Sequence, residues 1–131
     1  MLTEIAFVTG NERKFNNAKA FFKDTGIVLT QEKMDTPEIQ ADEVKDVAEY
    51  SAKYAGEILG KAVIKVDVGF FIEELNGFPG PYVKYINKWL SPDNMLSLCK
   101  NIKNRRCYFE DVVSCYIPNI GIKTFSTKTY G

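Results

Sequence analysis

The segment from Val44 to Leu59 carries the clearest structural pattern in this chain of 131 residues. Its apolar residues recur at spacings of three and four, which places them on one face of a helix with charged residues elsewhere. That face comprises Val44, Val47, Ala48, Ala52, Ala55, Ile58 and Leu59. A helix with one apolar face must bury it against another layer, and short apolar runs flank this one in the sequence. The pattern therefore predicts an α/β fold.

Weaker patterns predict the remaining elements. Strands are expected at residues 2–8, 27–31, 62–66 and 106–117, with more extended chain at 69–72 and a final strand at 122–129. Helices are expected at 12–22 and from Pro92 to Ile102, the second with Ser91 as its N-cap. A loop is expected around 76–81, after which Lys84 opens a helix or turn. The order β-α-β-α-β-α-β-β predicts one domain over residues 1–131, built on a mixed sheet with flanking helices.

Composition excludes several classes of function. Lys plus Arg and Asp plus Glu each number 17, giving a formal charge of zero, which argues against a dedicated nucleic-acid-binding protein. Histidine is absent, which excludes His-ligated zinc, Ser-His-Asp triads and imidazole acid–base chemistry. The sequence has neither a signal-peptide pattern nor an apolar run of ~20 residues, so we expect a soluble protein that does not enter membranes.

The three cysteines predict a reducing, cytoplasmic location. Cys99, Cys107 and Cys115 form no CxxC motif, and an odd number does not suit a disulfide framework. Cys107 and Cys115 stand at an even spacing in a strand-like run, which places both side chains on the same face. Both are therefore expected to be buried as small apolar side chains.

The first candidate site lies where the first strand meets the first helix. Thr9, Gly10 and Asn11 form a turn there, and Lys14 sits in the first turn of the helix. Such a junction presents free backbone N–H groups and the positive end of the helix dipole, which suits a phosphate. The alternative is an ordinary Asn-capped helix with a surface lysine, since neither GxxxxGK[ST] nor GxGxxG is present.

Two carboxylates on different segments form the second candidate. Glu38 lies in a loop, and Asp67 follows an apolar run, so Asp67 is expected at the carboxyl end of a strand, where ligands gather in open α/β sheets. A carboxylate pair completed by water suits Mg²⁺ and, through it, phosphates. The alternative for Glu38 is a solvated loop charge. Asp67, flanked by apolar residues, would need a partner if it were buried.

A rigid loop forms the third candidate, and the three candidates together resemble a known family. Residues 77–84 contain two glycines and two prolines before Lys84, which also fits a purely structural loop. Residues 7–14, FVTGNERK, resemble the F-[VA]-[TS]-x-N-x-x-K start of the inosine triphosphate pyrophosphatase family. Residues 37–40, PEIQ, resemble its [LP]-E-[IL]-Q segment, and residues 75–84, LNGFPGPYVK, its A-L-x-G-x-P-G-x-Y-x-K region.

The resemblance implies an enzyme and assigns roles to residues. Members cleave aberrant purine nucleoside triphosphates such as ITP, dITP and XTP to the monophosphate and pyrophosphate. Thr9, Gly10, Asn11 and Lys14 would hold the triphosphate, and Lys84 would neutralise phosphate charge. Glu38 and Asp67 would hold Mg²⁺, and Asp67 would also activate or position the attacking water, so Asp67 and Lys14 are the implied catalytic residues. The family also often forms homodimers, which we expect here.

The sequence departs from the family in two places. The family pattern around Asp67 has a second acid and a hydroxyl, where this chain has Val66 and Val68. Family members also continue for roughly another third of their length past the segment matched by residues 125–131, with motifs that contact the base. The second lobe is therefore expected to be incomplete. The alternative function is a nucleotide-binding paralogue with little or no turnover.

Overall fold

The computed structural model describes residues 2–131 and contains a six-stranded mixed sheet with helices on both faces. The strands are β1 (Glu4–Val8), β2 (Val28–Glu32), β3 (Val63–Ile72), β4 (Pro79–Gly80), β5 (Cys107–Ile117) and β6 (Gly121–Tyr130). The helices are α1 (Glu12–Phe21), α2 (Val44–Leu59), α3 (Val83–Trp89) and α4 (Pro92–Leu98), with a short 3₁₀ helix at Glu73–Leu75. The predicted α/β class, with a mixed sheet and flanking helices, is confirmed.

The sheet has the strand order β2-β1-β3-β5-β6, and β4 pairs separately with β3. β1 runs parallel to β2 and β3, whereas β5 is antiparallel to both β3 and β6. The parallel pairings need helical crossovers, which α1 and α2 supply. The antiparallel β5–β6 pair is joined by the short turn that the sequence predicts.

Each face of the sheet has its own apolar layer. On one face α1 contributes Phe15 and Ala18, which pack against a cluster that includes Phe7 and Ile64. On the other face α2 packs Ala52 and Ala55 against β1 and β3. Gly56 allows a close approach there, because a Cβ at this position would overlap the ring of Tyr116 on β5.

The buried face of α2 differs slightly from the predicted one. Five of the predicted residues are buried, namely Val44, Val47, Ala48, Ala52 and Ala55, together with Ser51 and Gly56. Ile58 was expected on this face and is 59% exposed. The small residues Ser51 and Gly56 are buried on this face instead, because their size lets the helix lie close to the sheet.

The predicted break at Asp67 is wrong. Residues 62–66 and 69–72 were expected as separate extended segments, but β3 runs without interruption from Val63 to Ile72. The reason is β5, which pairs with all ten residues of β3, from Val63 with Tyr116 to Ile72 with Cys107. Asp67 therefore lies mid-strand opposite Val112 and not at a strand end.

Smaller differences concern α4, the loop at 76–81 and the cysteines. α4 ends at Leu98, four residues earlier than expected, where Arg105 Nη1 donates to the carbonyl of Cys99 over 2.7 Å. Within the loop, Pro79 and Gly80 pair with β3. Cys107 and Cys115 are only partly buried, and all three cysteines are free thiols.

Across residues 2–131, no helix combines the length and the apolarity needed to cross a membrane.

Candidate active-site cleft

A cleft of about 790 Å³ opens along one edge of β3. On this edge β1 pairs only with Val63 and Ile64, and β4 pairs only with Phe70 and Phe71. The stretch between them, which includes Asp67, therefore faces the cleft instead of a neighbouring strand. Such a volume falls within the range of small-molecule sites. The cleft thus begins where the parallel strand β1 ends, as ligand sites in α/β sheets commonly do.

The junction of β1 and α1 forms one wall of the cleft. Thr9, Gly10 and Lys14 line it. Asn11 does not, because its Oδ1 accepts a hydrogen bond from the Lys14 amide over 3.1 Å and caps α1. Capping leaves the amides of Glu12 and Arg13 without an intrahelical acceptor at the positive end of the helix. The turn is braced by Thr9, whose Oγ1 accepts from the Asn11 amide over 3.1 Å.

Space is left beside Gly10. A Cβ built at this position would meet no atom within 4 Å, and Gly10 is not among the glycines with positive φ. Neither backbone strain nor crowding inside the protein therefore requires glycine here. The open volume beside its backbone is available to a ligand.

Glu38 is held at the cleft by two side chains from the start of α3. Lys84 Nζ donates to Glu38 Oε1 over 3.0 Å, and Tyr85 Oη donates to Oε2 over 2.8 Å. The loop that carries Glu38 is anchored by the fully buried Ser51 on α2, whose Oγ donates to the Pro37 carbonyl over 2.8 Å. Partial burial acts to raise the pKa of Glu38, but the hydrogen bonds from Lys84 and Tyr85 and the charges of Lys84 and Lys65 together lower it.

The pKa of Asp67 is shifted in the opposite direction, upward. Its Oδ2 is buried and has no hydrogen-bond partner among the described residues. Burial raises the pKa of this carboxyl and the negative charge of Glu38 adds to the rise, against the charges of Lys65, Lys14 and Lys84. A buried carboxylate oxygen without a partner is costly, and a cation or a polar ligand would relieve that cost.

The donor set fits a metal bound jointly with a ligand, and does not fit an all-protein cage. No cluster of three or more His, Cys, Asp or Glu side chains within residues 2–131 could hold a metal ion. Glu38 and Asp67 nevertheless line the same cleft, and Asp67 offers an unpartnered carboxylate oxygen. Mg²⁺ is commonly held in this way, by one or two carboxylates together with water and substrate phosphates.

The structure brings together most of the residues predicted from the sequence and adds others. Thr9, Gly10, Lys14, Glu38, Asp67 and Lys84 all line the cleft. Sequence reasoning missed Lys65, Tyr85 and Trp89, which also line it. Lys65 stands two residues before Asp67, so the two side chains leave β3 on the same face, and this spacing was a usable signal. Tyr85 and Trp89 are four residues apart, the spacing of one helical face.

Val66 and Val68 lie at the cleft but belong to the opposite face of β3 from Asp67. Val66 packs against the apolar cluster under α1. An acid at position 66 would therefore leave the strand on the α1 side. Asp67 shares its own face with Lys65.

A family model and several relatives match the chain. The model of the Ham1 family covers residues 5–131. The chain is 38% identical to the dITP/XTP pyrophosphatase of Methanopyrus kandleri over 98% of its length, and 37% identical to that of Thermococcus kodakarensis over 92%. It spans 68% and 65% of these two relatives, and 62% of a 39% identical dITP/XTP pyrophosphatase of Methanosarcina mazei. The chain thus spans about two thirds of the length of the curated relatives it matches.

Solved structures show the same fold. The Ham1 protein of Staphylococcus aureus superposes with a TM-score of 0.81 at 26% identity, covering 98% of this chain and 71% of that one. A nucleoside-triphosphatase (dITP/XTP pyrophosphatase) of Mycobacterium abscessus reaches a TM-score of 0.83 at 19% identity, over 98% and 73% of the two chains. These findings confirm the family resemblance inferred from residues 7–84.

Proposed function

Because the chain belongs to the Ham1 family, we propose that it is a nucleoside triphosphate pyrophosphohydrolase that converts ITP, dITP and XTP to the monophosphate and pyrophosphate. The observation that carries the proposal is one cleft that combines the Gly10 turn, the unpartnered carboxylate of Asp67 and the ammonium of Lys84. The names of the relatives, dITP/XTP pyrophosphatases, support the substrate class.

In the proposed reaction, water attacks phosphorus, an O–P bond forms, and the anhydride bond to the pyrophosphate leaving group breaks. Catalysis of this kind rests on positioning and on stabilising charge. The amides of Gly10, Glu12 and Arg13 and the ammonium of Lys14 bind and orient phosphate oxygens. Asp67 accepts a proton from the attacking water through its carboxylate, whose Oδ2 has no hydrogen-bond partner among the described residues.

Glu38 and Asp67 are the residues that would hold Mg²⁺. When bound, the ion would neutralise charge on the phosphates and on the leaving group. Lys84 and Tyr85 keep Glu38 oriented toward the cleft before ligands arrive. When a triphosphate enters, Lys84 can exchange its bond to Glu38 for one to a phosphate oxygen, since its side chain is 72% exposed and lysine carries its ammonium on a flexible stem.

A nucleotide-binding paralogue with little turnover is the second candidate. Val66 and Val68 favour it, because they replace the second acid and the hydroxyl of the family pattern around Asp67. Both functions keep the phosphate-binding turn. They differ in whether Asp67 and its surroundings suffice for the proton transfer.

Pyrophosphate release from ITP, XTP, dITP, ATP and GTP with and without Mg²⁺ tests the proposal. We expect metal-dependent release from ITP, dITP and XTP. Binding of these nucleotides without any release would favour the paralogue. Absence of both binding and release would overturn the proposed function.

We also propose a homodimer in the cytoplasm, with no nucleic acid or membrane as partner. The three free thiols support a reducing compartment. Exposed Phe109 and Phe125, on the same face of the β5–β6 hairpin, support an interface between two copies.

A further inference from the structure

One wall of the cleft is aromatic and comes from α3 and its N-cap residue Tyr82. Tyr82, Tyr85, Ile86 and Trp89 all line the cleft, at the spacing i, i+3, i+4, i+7 of one helical face. No residue of α3 is buried, and Trp89 is 68% exposed. This apolar face thus meets the cleft, where the sheet and the other helices do not cover it.

The aromatic wall is built as a pair of rings. Tyr85 and Trp89 have ring centroids 5.9 Å apart with planes tilted by 36°. The hydrogen bond from Tyr85 Oη to Glu38 fixes the first ring, so Trp89 packs beside a ring that is itself held in place. An exposed indole supported in this way offers a flat, preorganised face to a planar ligand.

Lys84 lines the cleft near the start of this wall, whereas Lys88, next to Trp89 in the last turn of α3, does not line it. Lys84 is in the first turn of α3, and Trp89 follows five residues later, about 7.5 Å further along the helix axis. A ligand that reaches both must be anionic at one end and flat and apolar at the other. A nucleotide with its phosphates at Lys84 and Gly10 has that form.

We infer that Trp89, supported by Tyr85, is the stacking platform for the base of the nucleotide. The inference rests on the proposed function and assigns it a residue that sets how the base is held. Stacking on an aromatic face recognises any base by its π surface, without hydrogen-bond readout. The platform therefore strengthens binding of nucleotides over inorganic polyphosphates and discriminates little among purines.

Trp89 is the only tryptophan in the chain, so its fluorescence reports directly on this surface. With Mg²⁺ present, we expect titration with ITP to quench the emission. Inorganic tripolyphosphate, which has the charge but no base, should bind and leave the emission nearly unchanged. Quenching to the same extent by both ligands, or by neither while both bind, would overturn the inference and leave the proposed function intact.

Substituting Trp89 distinguishes stacking of the base from binding of the phosphates. Trp89→Leu should weaken ITP binding by roughly 10-fold or more and leave tripolyphosphate binding, measured by calorimetry, unchanged. The matched control is Tyr54→Leu, an exposed aromatic on α2 outside the cleft, which should affect neither ligand. An equal loss for both ligands in Trp89→Leu would contradict stacking.

Two further outcomes are decisive. If neither ITP nor tripolyphosphate bound the unaltered protein, the proposed function would fail and the inference with it. If the emission of Trp89 changed with protein concentration and not with ITP, the indole would lie between two copies of the chain, and the inference would be wrong.

Discussion

Two carboxylates in one cleft have their pKa values moved in opposite directions. Glu38 accepts hydrogen bonds from Lys84 and Tyr85, and its pKa is lowered, although burial alone would raise it. Asp67 is more deeply buried with an unpartnered oxygen, and its pKa is raised. Pairs of this kind separate the group that stays charged from the group that exchanges a proton.

Asp67→Asn should separate activity from stability. Because the folded state raises the pKa of Asp67, it holds this proton more tightly than the unfolded chain does. The contribution of Asp67 to the free energy of unfolding therefore falls as the pH rises from the ordinary carboxyl pKa of about 4 through the raised value. The neutral amide removes that loss, so stability at pH 7 should be equal or greater, while pyrophosphate release falls on the order of 10²-fold or more.

Denaturant unfolding across pH and turnover with ITP measure the two effects. Glu57→Gln, on the exposed side of α2, is the control and should change neither. Unchanged turnover in Asp67→Asn would refute the role of Asp67.

Gly10→Ala should reduce binding without reducing stability. No atom lies within 4 Å of a Cβ at this position, and the backbone there is not left-handed, so the fold tolerates the methyl group. The methyl group would fill the space proposed for a phosphate. Calorimetric titration with tripolyphosphate should show weaker binding at an unchanged melting temperature, and a fall in melting temperature alone would contradict this.

Lys14→Ala and Lys84→Ala should each weaken triphosphate binding, and more strongly at low salt, where charges are less screened. Lys23→Ala is the control, because Lys23 is exposed beyond the far end of α1. Affinity is measured at two ionic strengths. Should either cleft variant alter thermal stability alone, that lysine would be a structural residue.

At the scale of elements, α2 positions the loop that carries Glu38. Among residues 2–131, the bond from Ser51 Oγ is the only side-chain hydrogen bond from α2 to that loop, and Ser51→Ala leaves the Pro37 carbonyl without this donor. We expect a loss of about 1–3 kcal/mol in the free energy of unfolding and a fall in turnover larger than Ser97→Ala causes on exposed α4. Full activity in a destabilised Ser51→Ala protein would show that Glu38 does not need this anchor.

The sheet also explains why the cleft lies where it does. β1 stops at Val8, and β4 begins to pair with β3 only at Phe70 and Phe71. The gap between the two strands exposes the edge of β3 at Asp67. β5 completes the other edge and holds Asp67 in a regular strand.

For the whole molecule, we predict a homodimer through the β5–β6 hairpin. Phe109 is 47% and Phe125 59% exposed, and the register places both on the face that carries Val113. A second copy would remove this apolar surface from water. Light scattering should give a dimer for the original chain and a monomer for Phe125→Glu, with Ile58→Glu on α2 as control. A strict monomer of the original chain at micromolar concentration would contradict the prediction.

Local pattern was enough for the elements and for most of the site. The periodicity of residues 44–59 predicted α2 to the residue. The motifs singled out the Thr9–Gly10 turn, Glu38, Asp67 and Lys84, which line one cleft and whose roles stay predictions. These predictions succeed because helical spacing, strand alternation and turn residues are properties of short segments. The family itself was also evident at this level.

Only the tertiary structure decided how these segments act on one another. It placed Asp67 mid-strand, because pairing with the distant β5 overrides the strand end that was expected after Val66. It turned Asn11 from a cleft residue into a helix cap and paired Lys84 with Glu38, 46 residues away. It also left Trp89 facing the cleft. Burial, strand pairing and side-chain partners depend on residues far apart in the chain, and no local pattern encodes them.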